Sequence, residues 1–202
     1  MIYAGAGSNE TPKSILNLMT EIGMYFGRHG ITLRSGGNTG AESAFEQGAD
    51  AVGGPKQIFR VPEIKMMIDN ATPAAIIANR FAVQYLPVDN ELKMWNVSQP
   101  INSVLLAKIS MELMGPSLQS PTSLIICWTR DNEIDPNIGQ LLTVANQLNE
   151  SRENDNVFPV LNLNLESNRI AVNNTMRGSS PIGLIDYAQA ITSKQYRKGL
   201  FR

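Results

Sequence analysis

Between Ser35 and Asp50 the chain reads SGGNTGAESAFEQGAD, which places three glycines, two hydroxyls and an amide ahead of two glutamates four residues apart. Gly36 and Gly37 allow backbone angles that other residues avoid, and they let a bulky anion approach the main chain. Ser35, Asn38, Thr39 and Gly40 add side-chain or backbone donors. Where such a loop opens into a helix, its free N–H groups and the helix dipole favour a phosphate. Glu42 and Glu46 share one helix face. Glu42, at the helix start, is the candidate catalytic group: it would contact a ribose hydroxyl or serve as general base on a water. The plain alternative is an acid that complements the helix dipole. Glu46 reads as part of a solvated face.

A second glycine loop, GAGSN, contributes Gly5, Gly7, Ser8 and Asn9. A third segment, WTRDNEIDPNIGQ, follows an apolar run and brings Arg130. Arg34, Arg60, Arg80 and Arg130 are candidates for phosphate contacts, each weighed against a plain surface charge, with Arg130 the best placed. Neither glycine loop is a Walker loop, and neither has the usual dinucleotide spacing. His29 is the single histidine and Cys127 the single cysteine. One chain therefore offers no Ser-His-Asp or Cys-His arrangement and no His-rich metal site. No metal and no cofactor is expected. Cys127 lies inside SLIICWT and reads as a buried small hydrophobe.

The elements that must position these loops follow from periodicity. MIYAGAG is a buried strand. Thr11 suits an N-cap and Pro12 the first helical position, with Ile15, Leu18, Met19, Ile22, Tyr25 and Phe26 on one face. ITLRS is a second strand, a helix runs from about Ala41 to Ala51, and KQIFRVP is a third strand. INSVLLAKISMELMG has helical spacing, its methionines reading as core filling. SLIICWT is the fourth strand, NIGQLLTVANQLNES a helix with Leu141, Val144, Ala145 and Leu148 inward, and NVFPVLNLN the fifth strand. Alternation of this kind predicts an α/β fold: a Rossmann-like, doubly wound, mainly parallel sheet with helices on both faces. Right-handed crossovers place the glycine loops at its carboxyl edge. One domain over residues 1–202 is expected, with an irregular insertion at about 63–100, read as short helices and loops that cover the sheet edge or as an oligomer contact, and a variable tail at about 166–202 in which IGLIDYAQAI is the last helix.

Composition narrows the partners. The 202 residues are 43% hydrophobic and 17% charged, with a net charge of −1. A sizeable core is available, and no basic excess supports backbone contacts to nucleic acid. The aromatics available for base stacking are few: Tyr3, Trp95 and Trp128. The N-terminus has no signal-peptide pattern and no run reaches the ~20 apolar residues of a membrane span, so a cytoplasmic location without membrane contact is expected.

At YAGAGSNETP, LRSGGNTGAESAFEQGA and SLIICWT the chain resembles the superfamily that joins DNA-processing protein A with the LOG nucleotide phosphoribohydrolases (the SLOG group). It is most similar in style to small, often phage-encoded, DprA-like proteins, whose setting would be the host cytoplasm. The likeness runs to about Leu163 and is weak between Glu63 and Pro100. It implies a nucleotide-related ligand. By position, Gly5, Gly7 and Ser8 would form the first ligand loop. Ser35, Gly36, Gly37, Thr39 and Gly40 would cradle phosphate, and Glu42 falls on the acidic position. Several family features are changed. Asn9 stands where an Arg is common. DPNIGQ, Asp135 to Gln140, replaces a Gly-Gly-Thr-Gly loop. The segment VLLAKISMELMG lacks an Arg-Asn pair, and the second-loop glutamate arrives one position early. The expectation is a non-catalytic receptor or sequestering protein for a nucleotide-type small molecule, assembled as a homo-oligomer. The alternatives are a LOG-type N-glycosidic hydrolase, a single-stranded DNA binder of the DprA type, and a structural protein with a vestigial site.

Overall fold

The computed structural model describes residues 1–83, 100–130, 138–151, 158–178 and 180–197. Five strands form one all-parallel sheet: β1 (Ile2–Gly5), β2 (Thr32–Ser35), β3 (Lys56–Ile58), β4 (Leu124–Cys127) and β5 (Val160–Asn162). Their spatial order is β3-β2-β1-β4-β5. Direction reverses between β1 and β4, with Ala4 paired to Ile125 on one side and to Arg34 on the other. In open α/β sheets the crevice outside such a reversal is where ligands bind.

Eight helices surround the sheet among the described residues: α1 (Lys13–Arg28), α2 (Ala41–Ala51), α3 (Val61–Asp69), α4 (Pro73–Val83), α5 (Pro100–Met114), α6 (Gly139–Ser151), α7 (Glu166–Gly178) and α8 (Pro181–Arg197). Strand residues alternate between two cores, as the period of two requires. Tyr3, Leu33, Leu124, Ile126 and Leu161 face α1, α2, α7 and α8. Ala4, Ile125, Cys127 and Val160 face α5 and α6, where Leu141, Val144, Ala145 and Leu148 are all buried. The expected α/β, Rossmann-like architecture is therefore present. Among the described residues no helix is long and apolar enough to cross a membrane.

Local details depart from the sequence reading. Pro12, not Thr11, holds the N-cap position of α1, with its carbonyl accepting from the Ile15 and Leu16 amides. The Thr11 hydroxyl instead donates back to the Ser8 carbonyl at 2.6 Å. Gly30 leaves α1 at φ 66°, the left-handed conformation expected after a helix end. Residues 61–83 form α3 and α4 and pack on α5 through Ile64, Ala75, Ala78, Val104 and Met111. The remainder of the expected insertion, 84–99 with Trp95, lies outside the described residues, as does Asp135. The tail from Glu166 contains a full helix, α7, ahead of the predicted last one.

Candidate functional site

Both glycine loops reach the carboxyl edge beside the reversal, and they touch. A Cβ on Gly7 would stand 2.5 Å from the Ala41 Cβ at the start of α2, and one on Gly5 would enter the Phe45 ring. These glycines are close-approach positions that let α2 lie against β1 and its loop. The first loop continues the β1–β4 ladder: the Ala6 amide donates to the Ile126 carbonyl at 3.1 Å, and the Ser8 amide to the Trp128 carbonyl at 3.3 Å. Ser8 is buried, and its hydroxyl oxygen accepts the Glu10 amide at 3.1 Å. Asn9 is exposed. Arg130 joins this loop to the one after β4 through an exposed pair with Glu10 at 3.1 Å. On the other side of β4, Asn162 braces Thr129, accepting its amide at 3.2 Å and donating to its hydroxyl at 2.7 Å.

The second loop is held from beneath by both glutamates. The Asn38 amide and side chain donate to Glu42 at 2.7 and 3.1 Å. The Ser35 hydroxyl donates to Glu46 at 3.2 Å and its oxygen accepts the Gly37 amide at 3.2 Å. Arg60 closes this side on Glu46 at 2.9 Å. Glu46 is buried, not on a solvated face as its spacing suggested: its carboxylate is needed inside, to hold Ser35 and Arg60. Glu42 is 5% exposed. It grips the loop, and to act on a water it would first have to release Asn38.

Below Gly36 lies a group that the sequence reading did not single out. Lys108 of α5 stands 3.6 Å from Glu42 and 3.3 Å from Glu112, and the three side chains are at most 7% exposed. Gly36 rests directly on them: a Cβ there would fall 1.8 Å from Lys108 Cε and 2.5 Å from Glu112 Oε1. Glu112 Oε1 is buried and lacks a properly aligned hydrogen bond, although Lys108 is within ion-pair reach. Burial pushes the Glu112 carboxyl up to about 7; Lys108 pulls it back and Glu42 pushes it further. Burial alone would lower the Lys108 ammonium, but Glu112 and Glu42 outweigh it and raise its pKa. The available signal was two charges four residues apart in a helix apolar on every side, which has no wet face to offer them.

Arg34 is not a surface charge. It is 1% exposed, because β2 is covered on both sides. Its guanidinium donates to Gln57 at 2.8 Å, to the Ser120 carbonyl at 2.5 Å and to the Thr122 hydroxyl at 3.4 Å, tying β2 to β3 and to the turn after α5. Burial lowers its pKa to about 10, still well above neutrality. Arg80 is exposed on α4, and Arg60 is engaged by Glu46. Tyr3 and Trp128 are buried in the core and offer no stacking face. Cys127 is fully buried, which pushes its thiol up to about 12.

What remains open is the start of α2. Gly40 takes the N-cap position at φ 85° and no side chain caps the helix. The amides of Thr39, Gly40 and Ala41 have no hydrogen-bond partner among the described residues. Among the described residues no cluster of His, Cys, Asp and Glu has metal-binding geometry. A groove of about 340 Å³ between α1 and α7, lined by Tyr25, Arg28 and Arg177, lies by the C-terminal end of α1, at the opposite edge of the sheet. Comparison of the chain with family models, with curated proteins and with solved structures returns no match.

Proposed function

We propose that the protein binds a nucleotide or nucleotide derivative, as a receptor or sequestering protein without catalysis, at the carboxyl edge of its sheet. The observation that supports this most is the uncapped start of α2, with amides at Thr39 and Gly40 unpartnered among the described residues, set against the GAGSN loop beside the β1–β4 reversal. A phosphate there meets backbone donors and the positive end of a helix. Asn9, exposed on the facing loop, supplies an amide toward the same crevice. The internal engagement of Glu42 favours binding over hydrolysis. A panel of mono-, di-, cyclic and sugar nucleotides tests the reading by thermal shift, since a ligand of the native state alone raises Tm. Gly40→Val, which strains φ 85° at the helix start, abolishes the shift. A panel with no active member sinks the proposal, and analysis of small molecules that copurify with the protein gives an independent reading.

A further inference from the structure

The buried group beneath Gly36 has an odd count of charges: two carboxyls share one ammonium, all three side chains at most 7% exposed. One of those carboxylates, Glu42, is also the acceptor that fixes the Asn38 amide. The other, Glu112, has an oxygen with no aligned donor. Lys108 thus has two competing partners, and only one of them is wired to the loop.

We infer that Lys108 and Glu112 are positioning residues that make the shape of the 35–40 loop depend on one proton at Glu112. With Glu112 protonated, Lys108 is committed to Glu42 and the grip on Asn38 tightens. With Glu112 ionised, Lys108 is divided, the grip loosens, and a negative charge is added directly below Gly36. The raised pKa of Glu112 puts the exchange near neutrality. The other charged groups around this site are accounted for. On α2, Glu46 is taken by Arg60. On β2, Arg34 reaches Glu112 only through Thr122, whose hydroxyl donates to the Glu112 carbonyl at 2.8 Å. On α3 and α4, Glu63, Lys65, Asp69 and Arg80 are exposed, Lys65 and Asp69 paired with each other.

The effect on ligand affinity rests on the nucleotide-binding reading; the effect on the loop does not. The test therefore begins without ligand. In a His29→Gln background, which removes the single imidazole, the amide signals of Gly37 and Asn38 and the side-chain carboxyl signal of Glu112 are followed from pH 5.5 to 8.5 by NMR. The expected result is one shared midpoint near 7. In Glu112→Gln the Gly37 and Asn38 signals are flat. Loop amides that stay flat while Glu112 titrates, or a Glu112 that does not titrate in this range, overturn the inference on the His29→Gln protein alone, whether or not Glu112→Gln folds. Inorganic sulfate, a dianion throughout the range, is the ligand probe. It binds about fivefold or more tightly at pH 6 than at pH 8, the lower end of ordinary coupling between two sites. Titrating loop amides with no sulfate binding at any pH uphold the proton-dependent loop and leave the nucleotide reading to the thermal-shift panel alone.

Discussion

Replacing Gly36 by alanine separates two reasons for the glycine. Gly36 is not among the glycines at positive φ, so alanine brings no backbone strain. At such a position the exchange ordinarily stabilises a protein by about 0.4–1 kcal/mol, because the unfolded chain loses freedom. Here the new methyl lies 1.8 Å from Lys108 Cε and 1.9 Å from Lys108 Nζ. The lysine head must leave, and it leaves two buried carboxyls behind. Breaking a buried pair costs about 3–5 kcal/mol; partial protonation of Glu112 relieves some of this, so a loss of about 3 kcal/mol is expected near pH 6. Urea denaturation measures it. In a Lys108→Ala background at the same pH the obstructing head is absent and only the Glu112 Oε1 contact at 2.5 Å remains, which the carboxyl relieves by turning into the vacated space, so the loss from Gly36→Ala is clearly smaller. A Gly36→Ala protein within about 0.5 kcal/mol of wild type, the usual range of changes without a named mechanism, refutes the packing account. So does an equal loss in both backgrounds.

Glu112→Gln removes a carboxyl whose folded pKa is raised from the ordinary 4.5 to about 7. The folded state holds the proton more tightly, so stability from this group is complete below 4.5 and falls as pH rises to 7. At about 1.4 kcal/mol per unit the loss reaches about 3 kcal/mol. The variant, compared with wild type by urea denaturation, gains relative stability between pH 5 and 8; a difference independent of pH refutes the assignment. Arg34→Leu leaves the Ser120 carbonyl and Gln57 without their donor and costs about 2–4 kcal/mol. Arg34→Lys recovers less than half of it in the same assay, because an ammonium cannot reproduce the fork.

The sheet was legible because β1 and β4 are short apolar runs and β1 and β2 lead into glycine loops, and α2 was legible to the residue because Gly40 and Gly53 punctuate it. The elements that escaped bury the wrong kind of residue for a hydrophobicity pattern. α4 packs through Ala75 and Ala78, and the Ala78 carbonyl accepts the Ser110 hydroxyl at 2.6 Å, so small side chains set a close helix contact. α7 turns Asn168, Val172 and Thr175 inward. Asn168 is satisfied there, donating to the Asn162 carbonyl at 3.0 Å and accepting from Tyr187 at 3.1 Å. Lys108 and Glu112 were hidden for the opposite reason: the eye follows the apolar majority of α5 and passes over the two residues that need each other. Arg34 carried the same kind of signal, one charge inside a strand with no wet face.

The three glycines of the second loop do three different things. Gly36 leaves space for Lys108; Gly37, at φ 73°, keeps clear of Arg60, whose Cγ would lie 2.7 Å from a Cβ there. Both are explained by contacts within the chain, as is Ser35, which is fully buried on Glu46. These positions would be needed with or without a ligand. Gly40 is different. A Cβ there meets only the facing GAGSN loop at 3.7 Å or more, and its φ of 85° turns the chain so that α2 begins uncapped. Glycine at an N-cap ordinarily costs a helix only a few tenths of a kcal/mol relative to Ser, Asp or Asn, so the open position is a cheap one. Here the two glutamates of α2 are spent elsewhere, Glu42 on Asn38 and Glu46 on Ser35. The anion-binding role proposed for SGGNTG therefore rests on Thr39 and Gly40 rather than on Ser35 and Gly36, and the chemistry beneath the loop decides how firmly those amides are presented.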